Sequence, residues 1–365
     1  MSRRVVLHVG APKTGTTYLQ DRLQLNARSL AAAGVHVPAG SPLVPAPLFH
    51  FRAALDLLGQ DWGGPPGHAE GSWESLVRKV RRRSGTVVVS HEILAPAPAD
   101  AIERAKAELG AGRSSELHVV YTARDLARQI PAAWQESVKQ GRRWTYQAFL
   151  RKLEHGKPWF YRALDLPSVL GAWGAGLPPE RVHVVTVPPR GADRGVLWER
   201  FCRTLEVDPA AGPQESTEAN RSLGVAETTM LRQLNRRMKR ATRREAVFDE
   251  LIREMLAQET LVRTRSQPVR LPPRLLPWAE AETERWLDWV RGSGVDVVGD
   301  LADLTPLPLA EDERYADPDN VAAKRQLDAA LDALSAMTTE AARRNDPDRQ
   351  IVARARSAAA RRLQG

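Results

Sequence analysis

The sequence predicts an α/β fold: a central parallel sheet flanked by helices, with a largely helical C-terminal part. Short apolar runs rich in β-branched residues recur along the first half of the chain, and such runs are typical of buried strands. Stretches with helical periodicity separate the runs, and a glycine-bounded loop joins the first run to the first helix. This alternation favours a parallel sheet whose ligands bind at the carboxyl ends of the strands.

The first strand and the first helix frame that loop. Val5–Val9 is an apolar run that ends at Gly10, and a helical pattern begins near Thr16. An apolar stripe continues the helix, and Gly34 is suited to end it. The stripe consists of Leu19, Leu23, Ala27 and Leu30.

Three further strands are predicted downstream. They are the runs Thr86–Ser90, Leu117–Thr122 and Arg181–Val187. The first of these is followed directly by His91 and Glu92, and the second runs into Arg124. Residues that follow parallel strands in this way lie at the edge of the sheet where ligands bind.

The C-terminal part has a different pattern. From residue 222 to about residue 290 the apolar residues follow helical spacing, and residues 306–365 are rich in alanine and charge with no strand pattern. We therefore predict an α/β domain over residues 1–305, with a helical subregion at about 222–290. Residues 306–365 are predicted to form a helical extension.

The loop Gly10-Ala11-Pro12-Lys13-Thr14-Gly15-Thr16-Thr17 is the most informative stretch of the sequence. Its position between a strand and a helix predicts a phosphate-binding turn. The two glycines have the separation found in nucleotide-binding P-loops, but the Gly-Lys-Ser/Thr ending of that motif is missing. The lysine lies inside the loop as Lys13, and Thr16 takes its usual place. The displaced lysine favours a different phosphate group, with less need for a metal ion.

The stretch His8-Val9-Gly10-Ala11-Pro12-Lys13-Thr14-Gly15-Thr16-Thr17 resembles the 5′-phosphosulfate loop of one enzyme family. These are the sulfotransferases that use 3′-phosphoadenosine-5′-phosphosulfate (PAPS). Tyr18 and Leu19 match the continuation of the family pattern. The resemblance extends over about residues 5–305 and implies a P-loop-like α/β fold. It also implies PAPS as the sulfuryl donor, no metal, and a hydroxyl or amine of a small molecule or carbohydrate as the acceptor.

The same resemblance implies roles for individual residues of the loop. Lys13 would contact the bridging oxygen and the 5′-phosphate and stabilise charge on the departing nucleotide. The backbone of Thr14, Gly15, Thr16 and Thr17 would hold the 5′-phosphate.

A second family element implies a site for the 3′-phosphate. The family has an arginine after a later strand and a serine eight positions beyond it. Arg124 fits the arginine, whose planar guanidinium can bind two phosphate oxygens. Ala132 stands where the serine is expected. Arg128, one helical turn after Arg124, is the candidate substitute.

Two residues are candidates for the catalytic base. His91 follows the second predicted strand, where many family members carry a histidine that deprotonates the acceptor, and a neutral imidazole suits that role. Glu92 is the competitor, since some carbohydrate-acting relatives use glutamate. Neighbours in an extended segment point to opposite sides, so only one is expected to face the donor. A purely structural role for His91 is the third interpretation.

The net charge favours an anionic ligand. Lys and Arg number 53 and Asp and Glu 44, giving a net charge of +9. Residues 311–365 hold 10 basic and 10 acidic residues, so the excess belongs to the predicted α/β domain. No recognised nucleic-acid motif accompanies the charge, which favours a small polyanionic donor over nucleic acid.

Composition also limits the setting and leaves two other functions open. Cys202 is the only cysteine, which excludes an internal disulfide and favours a cytoplasmic location. No run of ~18 apolar residues predicts a membrane span. A kinase or NTPase is disfavoured because the loop lacks the P-loop ending and no strand clearly ends in a metal-binding aspartate. A catalytically silent nucleotide- or glycan-binding protein of the same fold stays open because of Ala132.

Overall fold

The structure of the protein is a computed structural model. A parallel six-stranded sheet forms its centre. The structure describes residues 3–41, 44–110, 115–156, 159–216, 222–244, 248–263 and 266–344. Each pair of neighbouring strands is parallel. The predicted α/β fold with helices flanking a parallel sheet is therefore confirmed.

The strands and helices alternate along the first part of the chain. The strands are β1 Arg3–Gly10, β2 Val35–His36, β3 Gly85–Ser90, β4 Ser115–Ala123, β5 Val182–Thr186 and β6 Asp296–Val298. The helices up to β5 are α1 Thr16–Leu25, α2 Ala27–Ala32, α3 Ala46–Leu57, α4 Ser72–Arg81, α5 Ala99–Gly110, α6 Leu126–Lys139, α7 Tyr146–Glu154, α8 Trp159–Leu164 and α9 Leu166–Gly174. Beyond β5 they are α10 Gly195–Leu205, α11 Val225–Arg237, a π-helical segment Asp249–Thr260, α12 Leu276–Ser293 and α13 Ala323–Arg344.

The order of the strands in the sheet is β2-β3-β1-β4-β5-β6, and it reverses at β1. This reversal sets the position of the site. After β1 the chain builds β2 and β3 on one side, and then crosses to build β4, β5 and β6 on the other. The carboxyl end of β1 therefore lies between those of β3 and β4. In open α/β sheets, ligands bind in the crevice at such a reversal because the connections leave in opposite directions there.

The two faces of the sheet are both buried, which explains why the strands are nearly continuous apolar runs. On one face, Val6 of β1, Val88 of β3 and Val120 of β4 belong to one buried cluster. The same cluster includes Leu19 of α1 and Phe201 of α10. Helices α1 and α10 are thus anchored to the sheet by packing, and α1 carries the loop residues at its start.

Two details differ from the sequence prediction. The helix expected to continue from Thr16 along one apolar stripe is divided into α1 and α2 at Asn26. The Asn26 side-chain amide donates to the Arg22 and Gln214 carbonyls, both at 2.8 Å, and such side-chain bonds to backbone compete with regular helix geometry. Strand β2 has only two residues, too few to show a pattern.

The chain divides into two compact units. The first comprises Met1–Trp134, Tyr146–Asn220 and Arg270–Tyr315 and holds the whole sheet. The second comprises Gln135–Thr145, Arg221–Val269 and Ala316–Gly365. Within the second unit, α11 and α13 pack together. The expected division at residues 305 and 306 stays a prediction, and residues 345–365 of that extension lie outside the described residues.

A helix that crosses a membrane must be both long and apolar. Within the described ranges, no helix combines the length and the apolar character that a membrane crossing needs.

Candidate functional site

The sequence-predicted site residues follow three neighbouring strands. Residues 10–17 follow β1, His91 and Glu92 follow β3, and Arg124 follows β4. Since β3, β1 and β4 are adjacent in the sheet, these segments meet at the carboxyl edge where the strand order reverses. The structure thus brings together the residues that the sequence placed at three separate strand ends.

The loop after β1 has a backbone that turns sharply before α1. Lys13 has a φ of 67°, a left-handed conformation that non-glycine residues rarely adopt. Gly15 has a φ of 90°, and a Cβ atom there would lie 2.6 Å from Cδ2 of Leu197. Glycine is therefore required at position 15 both by the backbone conformation and by the close approach of α10.

The start of α1 has a glycine at its N-cap. Gly15 has no side-chain oxygen with which to cap the first-turn N–H groups of this helix. The Thr14 hydroxyl donates instead to the Ala11 carbonyl within the loop. First-turn N–H groups have no acceptor inside their own helix and lie at the positive end of the helix dipole. The loop and this first turn therefore form an environment suited to an anion.

Arg124 is hydrogen-bonded to the loop and carries a buried donor without a partner. Its Nη1 donates to the Lys13 carbonyl at 3.0 Å. Among the described residues, its buried Nε has no hydrogen-bond acceptor. Burial, together with the nearby charge of Arg128, lowers the pKa of Arg124 to about 10. A buried donor without an acceptor lowers the stability of the folded protein. The guanidinium is therefore suited to bind an anionic ligand.

Arg128 is positioned by the start of α6. The Asp125 carboxylate accepts a hydrogen bond from the Arg128 backbone N–H at 2.9 Å and pairs with its Nε. Nη1 of Arg128 donates to the Pro188 carbonyl at 3.0 Å. The Asp125 carboxylate is thus engaged with Arg128. Ala132 lies in α6 and has no hydroxyl to offer.

Arg190 is a candidate that the sequence analysis missed. It follows β5 at the same edge of the sheet. Burial lowers its pKa, and so do the positive charges of Arg270 and Arg128, which places these guanidinium groups within electrostatic range of one another. The signal was available, because Arg190 comes shortly after a predicted strand, as Arg124 does.

His91 extends the pairing of β1 and β3. Its backbone N–H donates to the His8 carbonyl at 3.1 Å. Its side chain caps the short 3₁₀-helix Glu92–Leu94, because Nδ1 accepts from the Ile93 N–H at 3.3 Å. A neutral imidazole that accepts at Nδ1 carries its proton on Nε2. In this tautomer, Nε2 is a donor rather than a base.

Glu92 is an ionised carboxylate close to the loop lysine. Its Oε2 accepts from Nε2 of Gln20 at 3.2 Å and lies 3.9 Å from Nδ1 of His91. Burial acts to raise the pKa of Glu92, but electrostatic interactions with His91 and Lys13 and the hydrogen bonds from its own N–H and from Gln20 outweigh it, so the pKa is lowered. Gln20 is a second residue that the sequence analysis missed, and nothing in its local pattern marks it.

Metal ions in proteins are usually held by several His, Cys, Asp or Glu side chains close together. Across the described ranges, no cluster of three or more His, Cys, Asp or Glu side chains is arranged to hold a metal ion.

Comparison with solved structures gives a structural likeness. No family model matches the sequence, and no curated protein matches it. A sulfotransferase from Alicyclobacillus acidocaldarius of known crystal structure is similar to this chain with a TM-score of 0.38 and 16% sequence identity. The match covers 68% of this chain and 96% of the other. A likeness of this size does not establish an activity for the chain.

Proposed function

We propose that the chain is a sulfotransferase that moves a sulfuryl group from PAPS to a hydroxyl or amine of a small molecule or carbohydrate. The observation that carries the proposal is the hydrogen bond from Arg124 to the Lys13 carbonyl, 3.0 Å long, at the reversal point of the sheet. It joins the loop that resembles a phosphosulfate site to the arginine that resembles a 3′-phosphate site. Glu92, whose carboxylate lies in the field of Lys13, completes the arrangement.

The residues at this edge fit a donor with phosphate groups at two positions. The backbone N–H groups of residues 14–17 would hold the 5′-phosphate, as the glycine N-cap of α1 supports. Arg124, Arg128 and Arg190 would hold the 3′-phosphate. The Nε of Arg124, which has no partner among the described residues, supports this assignment. Arg190 adds a positive charge within electrostatic range of Arg128.

The proposed reaction is an in-line transfer. PAPS supplies the sulfuryl group, so that a bond forms between the acceptor oxygen or nitrogen and sulfur while the bond from sulfur to the bridging phosphate oxygen breaks. Lys13 stabilises the negative charge that develops on the departing 3′,5′-adenosine bisphosphate. The acceptor proton passes to a base on the enzyme. Most of the contribution of the protein is positioning and charge stabilisation.

We assign the base to Glu92 and a donor role to His91. The lowered pKa of Glu92 keeps its carboxylate ionised at neutral pH, so that it can take up a proton. His91 accepts at Nδ1 from Ile93, so its Nε2–H is suited to donate to an oxygen of the acceptor or of the sulfuryl group. This assignment supports the second of the two sequence candidates as the base.

Thermal shift with 3′,5′-adenosine bisphosphate tests the proposal, because a ligand that binds the native state raises the melting temperature. We expect stabilisation of the wild type without Mg²⁺ and its loss in Lys13→Ala and Arg124→Ala. Arg181→Ala is the matched control, because Arg181 pairs with Glu116 at the opposite end of the sheet. PAPS consumption over a panel of acceptors then tests turnover.

Three other results would contradict the proposal in different ways. Stabilisation by ATP with Mg²⁺ alone would indicate a kinase or NTPase. Binding of the bisphosphate without PAPS consumption on any acceptor would indicate a silent binding protein. Equal loss of binding in Arg181→Ala would show that the effect is nonspecific electrostatics.

A further inference from the structure

A chain of buried polar side chains lies beneath the candidate site. His8, Thr14 and Thr122 are 0% exposed and Ser90 is 1% exposed. Nδ1 of His8 lies 2.8 Å from the Ser90 hydroxyl, and Nε2 of His8 lies 3.3 Å from the Thr122 hydroxyl. His8 thus bridges β3 and β4 from the central strand β1.

This series of hydrogen-bonded side chains reaches the loop after β1 on one side. The Thr122 hydroxyl donates to the Gly10 carbonyl at 3.0 Å and contacts the Thr14 hydroxyl. The Thr122 carbonyl also accepts from the Ala11 N–H at 3.0 Å. These bonds hold the beginning of the loop against β4.

On the other side the same series of side chains reaches the carboxylate of Glu92. Nε2 of Gln20 lies 3.3 Å from the Ser90 hydroxyl and 3.2 Å from Oε2 of Glu92. Gln20 therefore links the buried chain to Glu92. The path from the loop to the carboxylate is continuous and passes through His8.

The Thr122 hydroxyl donates its proton to the Gly10 carbonyl, so Thr122 can accept from Nε2–H of His8. Nδ1 of His8 then accepts from the Ser90 hydroxyl, and the Ser90 oxygen accepts from the Gln20 amide. Neutral His8 with its proton on Nε2 fits these bonds, and burial lowers the pKa of His8 to about 4.

We propose that His8 is a positioning residue that aligns the phosphate loop, through Thr122, with the Glu92 carboxylate, through Ser90 and Gln20. Its neighbours along β1, Val6, Leu7 and Val9, are fully buried and apolar. A polar ring in such a place is unfavourable unless its hydrogen bonds are all made. Phe201 meets the ring edge at a centroid distance of 5.2 Å and fixes its plane. The inference rests on the proposed function for its effect on turnover.

Two substitutions separate the two arms of this chain. An asparagine amide can take the place of Nδ1, and a glutamine amide can take the place of Nε2. His8→Asn should keep the link to Ser90 and lose the link to Thr122. His8→Gln should do the reverse. We expect His8→Asn to weaken binding of 3′,5′-adenosine bisphosphate about tenfold with a smaller change in kcat, and His8→Gln to lower kcat about tenfold with affinity nearly unchanged, as the loss of one buried hydrogen bond predicts.

Ser90→Ala and Thr122→Val check the two arms without touching His8. Ser90→Ala should behave as His8→Gln does, and Thr122→Val as His8→Asn does. His118→Asn is the matched control, because His118 is also a buried histidine of the sheet but pairs with His183 near the other ends of the strands. It should leave both affinity and kcat within about twofold of the wild type while lowering stability.

A measurement without ligand or turnover keeps this inference apart from the proposed function. The side-chain carboxyl carbon of Glu92 can be titrated by NMR in the ligand-free protein. His8→Gln and Ser90→Ala should raise the pKa of Glu92, since the Gln20 hydrogen bond helps to lower it, and His118→Asn should not. The positioning role is overturned if all His8 variants change stability alone, or change affinity and kcat by the same factor while the Glu92 titration stays unchanged.

Discussion

Arg124 donates a hydrogen bond from Nη1 to the backbone carbonyl of Lys13 across 3.0 Å. The contact joins two segments that lie 111 residues apart in the sequence. It uses Nη1 of the guanidinium, and the buried Nε has no acceptor within the described part of the chain. The same side chain can therefore brace the loop and bind an anion, which a shorter or singly branched cation cannot do.

Arg124→Lys should separate positive charge from guanidinium geometry. An ammonium keeps the charge but cannot bond to the Lys13 carbonyl and chelate a phosphate with a second edge. We expect the dissociation constant for 3′,5′-adenosine bisphosphate, measured by calorimetry, to rise about 10- to 100-fold. Arg181→Lys, at the opposite end of the sheet, should leave it unchanged. An affinity for Arg124→Lys equal to that of the wild type would mean that only charge matters at this position.

Gly15→Ala should destabilise the protein. The new methyl group would face Cδ2 of Leu197 at 2.6 Å, and the φ of 90° disfavours any side chain. We expect a loss of about 1–3 kcal/mol in the free energy of unfolding, measured by urea denaturation. Gly171→Ala is the matched control, because Gly171 lies in a helix with nothing within 4 Å of an added Cβ. That change should stabilise by about 0.5–1 kcal/mol, and a loss there would contradict the explanation.

Stability should fall as the pH is lowered from 6.5. Burial lowers the pKa of His8 and of His50 to about 4 and that of His118 to about 3. Between those values and 6.5 the unfolded chain binds protons that the folded protein does not, so acid favours unfolding. Each histidine contributes on the order of 1 kcal/mol per pH unit in this window. Urea denaturation at pH 7.5, 6.5 and 5.5 checks this, and equal stability at the three values would refute it.

The identity of the base predicts a mutational contrast. Glu92→Gln removes the ionised group and should lower kcat about 10²- to 10⁴-fold. His91→Asn can still accept from the Ile93 N–H, as Nδ1 does at 3.3 Å, and should lower kcat less than about tenfold. PAPS turnover with saturating acceptor measures both. The reverse order would assign the base to His91.

The pH profile of kcat/KM distinguishes the same two residues. The lowered pKa of Glu92 keeps its carboxylate ionised above its ordinary titration range. Activity per folded molecule should therefore stay level from pH 7 to about 5. The folded fraction is followed by circular dichroism, since the buried histidines destabilise the protein in acid. A decline in the activity per folded molecule, centred near pH 6.5, would indicate a histidine base.

Local patterns were sufficient for four of the six strands and for the ends of those strands. The runs of β-branched residues lie within β1, β3 and β4, because strands buried on both faces must be apolar throughout. Lys13 and Arg124 could be found because each follows such a run. Gln20, by contrast, acts through a hydrogen bond to Glu92, 72 residues away, and a helix residue gives no local sign of such a partner.

His8 shows a different limit of sequence reasoning. It is part of the motif that resembles the phosphosulfate loop, but its bonds to Ser90 and Thr122 depend on which strands become neighbours. The order of strands in a sheet is not written in any single segment. The division of the first helix at Asn26 has a similar cause, because the amide of Asn26 bonds to the distant Gln214 carbonyl.

The central position of β1 also has a consequence for synthesis of the chain. Strand β1 is made before β3 and β4, the two strands with which it pairs, so that Arg3 finds its partners at Gly85 and Ser115. Contacts of such long range form late, because closing the intervening loops costs entropy. The loop after β1 is therefore made well before Arg124, which donates to the Lys13 carbonyl within it. Binding of the proposed nucleotide donor to a growing chain should begin only after residue 124 has emerged.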